Sequence, residues 1–187
     1  MKEKILDIAI RQMKSGGYAH LNFAHIAEEL NTTRANLHHH YKNKEGLAVA
    51  ATERYIQDET ATMDEIIRSN DGDIFSILAE IENYIMDFVS RSESCNACIC
   101  SQLIYESQAP DSLRQLARDR VNAELEDFAD QIEKAIKSGT LPESTDVEVL
   151  AFRIVATYSG IGQMALVETD KQKLARNVKG ALVSILR

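Results

Sequence analysis

Apolar side chains recur at three- and four-residue intervals along nearly the whole chain, the spacing of helices that each bury one face. Ile5, Leu6, Ala9 and Met13 form the first such stripe, and Gly16-Gly17 ends it. A second, short stripe runs through Phe23, Ile26, Ala27 and Leu30, with Asn22 placed to cap its start. Asn31 follows, a residue that tolerates the left-handed backbone of a tight turn. Thr33 then stands as the cap of a third helix, which carries Leu37 and runs to about Tyr41. The same periodicity predicts a long helix from Lys44 to about Ser69, then a break at Ser-Asn-Asp-Gly-Asp over 69–73. Further helices are expected over 74–89, 97–107, 112–137 and 145–167, and from a cap at Asp170 to Leu186. No window alternates in the manner of a strand. The expected fold is all-α, with about nine helices.

Composition agrees with this. The 187 residues include only 2 prolines and 8 glycines, too few for the dense turns of a sandwich or barrel. Hydrophobic residues at 44% and charged residues at 27% are globular proportions. No apolar run approaches the ~18–20 residues of a membrane span, so no membrane partner is expected. The N-terminal stretch MKEKILDIAIRQMK carries charges through its apolar positions and lacks a small-residue cleavage site, unlike a signal peptide. Cys95, Cys98 and Cys100 are an odd number crowded together, which fits a reducing cytoplasm better than a disulfide framework.

Charge changes the picture more. The formal net charge is −8, which taken whole argues against a nucleic-acid partner. Residues 1–54, however, hold 8 Lys/Arg against 6 Asp/Glu and all five histidines, while residues 55–187 hold 13 against 23. Only the N-terminal part is suited to approach an anionic polymer.

Two short helices joined by a tight turn, behind a supporting helix, match the helix-turn-helix plan. The second of the pair carries Arg34, Asn36, His38, His39 and His40. Arg and Asn make paired hydrogen bonds to base edges, whereas His and Thr more often meet phosphates. Adjacent histidines on a helix point about 100° apart and do not converge, so no metal is expected. Beyond residue 54 there is no histidine, no glycine-rich phosphate loop and no nucleophile–base constellation, so neither an enzyme nor a cofactor is expected. From these residues alone, a helical protein-interaction module without DNA binding remains the alternative.

Residues 16–47, GGYAHLNFAHIAEELNTTRANLHHHYKNKEGL, resemble the N-terminal module of the tetracycline-repressor (TetR) family of transcriptional regulators. Gly17-Tyr18, Ile26-Ala27, Leu37, Lys44 and Leu47 fall in register with the family pattern. Asn22 stands where that pattern has Ser or Thr, Asn31 where it has Gly, His38 where it often has Tyr, and Tyr41 where it often has Phe. The resemblance covers residues 4–54. It implies a cytoplasmic homodimer whose two recognition helices enter successive major grooves of a palindromic double-stranded DNA operator. It also implies a DNA-binding domain over 1–54, a ligand-binding and dimerisation domain over 55–187, and release by a small-molecule effector. Position by position, Asn22, Thr33, His38, His40 and Lys44 become backbone-positioning candidates, and Arg34, Asn36 and His39 base-reading ones. The charge of Lys44 opposes the dipole at its own helix start, which favours a task outside that helix.

In the C-terminal part, Ala156, Gly160 and Gln163-Met164 share one face of their helix, with Gly162 nearby. Glycine inside a helix costs roughly 1 kcal/mol against alanine, which suggests a close backbone approach there. Leu174, Val178, Ala181, Leu182 and Ile185 have heptad-like spacing in the last helix. The resemblance implies that the last two helices pair with their copies; an intramolecular core is the alternative. It also implies a ligand cavity, for which Cys98, Gln102, Tyr105, Phe128 and Tyr158 are the candidates. Cys98 and Cys100 project about 200° apart on a helix, whereas Cys95 and Cys98 share a face. Two readings of these thiols stand side by side: small buried hydrophobes, or a redox-sensing pair at Cys95 and Cys98.

Overall fold

The computed structural model describes residues 1–91 and 98–186. Among them are nine α-helices: α1 (Lys2–His20), α2 (Phe23–Glu29), α3 (Arg34–Tyr41), α4 (Lys44–Ser69), α5 (Ile74–Arg91), α6 (Ile99–Tyr105), α7 (Asp111–Lys137), α8 (Val147–Val167) and α9 (Lys171–Val178). A 3₁₀ turn, Val183–Leu186, follows α9. The all-α expectation holds, and among the described residues no helix is long and apolar enough to cross a membrane.

The helices sort into two compact units. Unit 1 comprises residues 1–59 and 97–120, and unit 2 comprises residues 60–96 and 121–187. The packing therefore does not follow a single cut after residue 54, because α6 and the start of α7 belong with the N-terminal helices. In unit 1, Ile5, Met13, Ile26, Leu37 and Leu47 interlock with Ile99, Leu103 and Leu113, all fully buried. Each such side chain contributes about 1.5–3 kcal/mol by leaving water. Gly16 and Gly17 interrupt α1, Gly17 with φ of 70°, before one more turn reaches His20. In unit 2, Ile74, Ile77, Leu78 and Ile81 of α5 pack with Phe128, Ile132, Ile154 and Leu174.

Two sequence expectations are corrected here. The helix expected to run to Leu186 breaks after Val178, where Gly180 takes φ of 79°. Buried Glu82 of α5 holds that break, accepting the N–H groups of Gly180 at 2.8 Å and Leu182 at 2.6 Å. Leu174, Val178 and Leu182 are accordingly buried within unit 2 rather than displayed as a heptad face. Among the described residues, a Cβ at Gly160 or Gly162 would meet nothing within 4 Å. Finally, Cys98 precedes α6 as its cap residue with φ −56° and ψ 127°, so the helical angle of 200° to Cys100 does not apply.

Candidate nucleic-acid interface

The turn between α2 and α3 is built from short-range hydrogen bonds. Asn22 caps α2 by accepting the Ala24 N–H at 2.8 Å, and its own N–H donates to Gln12 Oε1 at 2.8 Å. Asn31 takes the left-handed conformation, φ 49°, which lets the Thr32 N–H reach back to the Ala27 carbonyl at 2.8 Å. Thr33 Oγ1 then caps α3 by accepting the Asn36 N–H at 3.2 Å. Leu37 anchors α3 in the core, and this decides what faces out: Arg34, Ala35, His38 and His39 are exposed. Asn36 and His40 flank them, half-buried. A helix about 10–12 Å across with such a face fits a major groove about 12 Å wide.

The candidate residues are not equally free. Asn36 Nδ2 donates to Thr32 Oγ1 at 3.0 Å, which leaves its Oδ1 and second N–H. Those two groups are the pair that a bidentate contact to adenine uses. His38 packs on the Phe23 ring, 4.8 Å between centroids, and its Nδ1–H donates to the Lys42 carbonyl at 2.8 Å. With Nδ1 so engaged, Nε2 is the His38 ring nitrogen left for a further contact. His39 and His40 lie edge to face, 5.5 Å apart. Lys44 has a task inside the molecule: Nζ lies 4.6 Å from the centre of the Tyr18 ring and donates to the Ala19 carbonyl at 3.1 Å. Among the described residues no three His, Cys, Asp or Glu side chains gather to hold a metal ion.

The burial of Leu37 adds exposed Ala35 to these candidates. Its signal was geometric, since it sits centrally between Arg34 and His39 once Leu37 is buried, and a methyl there suits the thymine methyl.

The candidates for a ligand cavity do not assemble as expected. Gln102 Nε2 donates to the Lys14 carbonyl at 3.1 Å. Tyr105 is 81% exposed, because Leu103 takes the inward face of the short α6, so it does not line an internal cavity. In unit 2, Phe128 is buried in the core and Tyr158 packs half-buried against it. The Cys98 thiol, on an exposed residue, instead meets the buried Cys100 and Tyr55. Hydrogen bonding from Cys100 foremost, then from the Ser101 amide and the Tyr55 hydroxyl, lowers the Cys98 thiol to about 5. Burial, reinforced by the Cys98 charge, pushes the Tyr55 phenol up. Cys95 lies outside the described residues.

Comparison with known proteins agrees with this geometry. Residues 5–51 match the family described as "Bacterial regulatory proteins, tetR family", and residues 77–181 match "Tetracyclin repressor-like, C-terminal domain". The uncharacterized HTH-type transcriptional regulator YvkB of Bacillus subtilis (strain 168) is 24% identical over 124 residues, 63% of this chain. The chain spans 64% of the length of that curated relative. A TetR-family transcriptional regulator from Agrobacterium tumefaciens has a similar structure, with TM-score 0.87, 21% identity, and coverage of 100% of this chain and 97% of the other. The TetR-family regulator CifR, as a cysteine variant complexed with 26-bp double-strand operator DNA, gives TM-score 0.81 at 18% identity, covering 97% and 95%.

Proposed function

We propose, from the premise that this chain belongs to the tetracycline-repressor family of bacterial regulatory proteins, that it is a homodimeric repressor released from its operator by a small-molecule effector. The observation that carries this reading is the exposed face of α3, where Arg34, Ala35, His38 and His39 stand clear around a buried Leu37. Arg34, Asn36 and His39 read base edges, and Asn22, Thr33, His38, His40 and Lys44 position the helix on the phosphates. Residues 1–54 do the reading, and residues 55–187 carry effector binding and dimerisation. Phe152, Met164 and Val167 of α8 are exposed on the helix face that carries Gly160, which supports a second copy as the occupant of that face.

The Cys98 thiol, on an exposed residue and with Tyr55 and Cys100 as hydrogen-bond partners, supports an electrophile as one effector class. Its thiolate adds to a quinone ring carbon: the C–S bond forms as the ring C=C π bond breaks, the electron pair moves to the carbonyl oxygen, and that oxygen takes a proton from water.

Fluorescence anisotropy with palindromic duplexes tests the main reading. Binding as a dimer is expected, with half-sites about 34–36 Å apart and a log–log salt slope of about −0.9 per phosphate contacted. A monomer in sedimentation at micromolar concentration, indifferent to palindromic DNA, would falsify it.

A further inference from the structure

We infer that Glu106 is the positioning residue through which α6 sets the DNA-reading helices, an inference that rests on the regulator reading above. Because α1 leaves the helical backbone at Gly16-Gly17, the N–H groups that begin its last turn have lost their usual carbonyl partners. Glu106, the residue that ends α6, supplies new ones. Its carboxylate accepts the Tyr18 N–H and the Ala19 N–H, each at 2.7 Å, from almost ninety positions away in sequence. These are charge-assisted bonds in a two-point grip, which fixes orientation as well as distance.

Neighbouring residues are arranged around that grip. Gly17 makes room for the carboxylate, since a Cβ there would lie 2.4 Å from Oε2. Arg114 of α7 donates to the Glu106 carbonyl at 3.3 Å and so fixes the backbone behind the side chain. One turn earlier in α6, Gln102 holds the Lys14 carbonyl on the other side of the break in α1. Lys44 holds the Ala19 carbonyl. The α1 break is thus fastened to α6 on both sides, and only His20 and Leu21 separate the gripped Ala19 from the Asn22 cap of α2.

The length of α6 makes this grip a means of control. Seven residues of helix span about 10 Å, too short to bend, so a displacement at its Cys98 end arrives at Glu106 undiminished. Hydrogen bonds already at 2.7 Å tolerate only a few tenths of an ångström before they weaken. A shift of α6 therefore either carries the Tyr18–Ala19 turn, and the entry to α2, along with it or releases them.

The test uses the full-length chain and an operator that wild type selects from a random duplex library. Anisotropy across a salt series is compared for wild type, Glu106→Gln, Gly17→Ala, Glu106→Ala and the Gly17→Ala/Glu106→Ala double variant. Glutamine keeps the size of Glu106 but sets an NH₂ against one of the two N–H donors. The expected result is an operator Kd raised about tenfold or more in Glu106→Gln, with melting midpoint and salt slope close to wild type. Gly17→Ala should weaken binding less in the Glu106→Ala background than in wild type, because the displaced carboxylate is already gone. An affinity for Glu106→Gln within twofold of wild type, or a loss matched by its unfolded fraction, overturns the inference and leaves the regulator reading standing. Failure of wild type to enrich any duplex overturns the regulator reading itself.

Discussion

Glu106 in unit 1 and Glu82 in unit 2 each accept two backbone N–H groups beside a glycine of positive φ, Gly17 at 70° and Gly180 at 79°. Their surroundings differ. Glu82 is 8% exposed and lies among Ile81, Ile85 and Leu182, whereas Glu106 is half-buried and the Ala19 N–H it holds is exposed. Water can replace the Glu106 carboxylate at little cost, but it cannot reach the Leu182 N–H without opening the core. The same two-bond device therefore supports stability where it is buried and placement where it is not.

The largest effect expected from this contrast is on folding. Glu82→Ala should cost about 2–4 kcal/mol in urea denaturation, and Glu106→Ala no more than about 1.5 kcal/mol. Equal losses would mean that burial is not what separates the two carboxylates. Within unit 1, Arg34→Ala should remove about 1–3 kcal/mol of operator affinity and relax preference at one base position. Lys44→Ala should weaken all duplexes alike and lower the salt slope by about 1, provided Lys44 exchanges the Ala19 carbonyl for a phosphate on binding. An unchanged slope would instead assign Lys44 to holding the α1 turn.

Caps sharpen the comparison at a smaller scale. Thr33 caps α3 and Asp170 caps α9, the latter through the Gln172 and Lys173 N–H groups at 2.9 and 3.0 Å. Alanine at either position should cost about 1 kcal/mol of stability, yet only Thr33→Ala should also lower operator affinity. The smallest effect concerns the thiol in unit 1. With Cys98 lowered to about 5, its alkylation rate should stay nearly flat from about pH 6 to 8, where an ordinary thiol rises with pH. The linked stability is present above the ordinary thiol range of about 8.5 and is lost as pH falls through about 5. A rate that climbs about tenfold per pH unit over 6 to 8 would show an ordinary thiol.

What the sequence made legible was local. Asn22, Thr33 and Asp170 act as caps, Asn31 adopts the left-handed turn, and Gly16-Gly17 breaks α1, each decided by side-chain chemistry within a few residues. The outward face of α3 could be reached from there because one apolar residue, Leu37, orients the helix. The grips of Glu106 and Glu82 were not legible, since an Asp or Glu in a helical stretch reads as solvated surface until a distant amide meets it. The end of α9 is hidden for the same reason: Leu174, Val178 and Leu182 keep helical spacing across a break that Glu82 imposes from α5. The expected helix start at 97 includes Cys98, whereas α6 starts two residues later at Ile99, and from its place before the helix the Cys98 thiol meets Cys100.

The open space around Gly160 and Gly162 bears on how such a chain responds to selection. Alanine at either site meets nothing within 4 Å among the described residues and raises helix propensity, which stabilises an isolated helix by about 1 kcal/mol. A library screened for heat tolerance at high dilution would therefore enrich those alanines. The Gly160 methyl group would stand on the face assigned to the second copy and hold two backbones apart, whereas one at Gly162, about 200° round the helix, would not. Selection for a hardier protomer and selection for a working pair would pull position 160 in opposite directions and leave position 162 to the first alone.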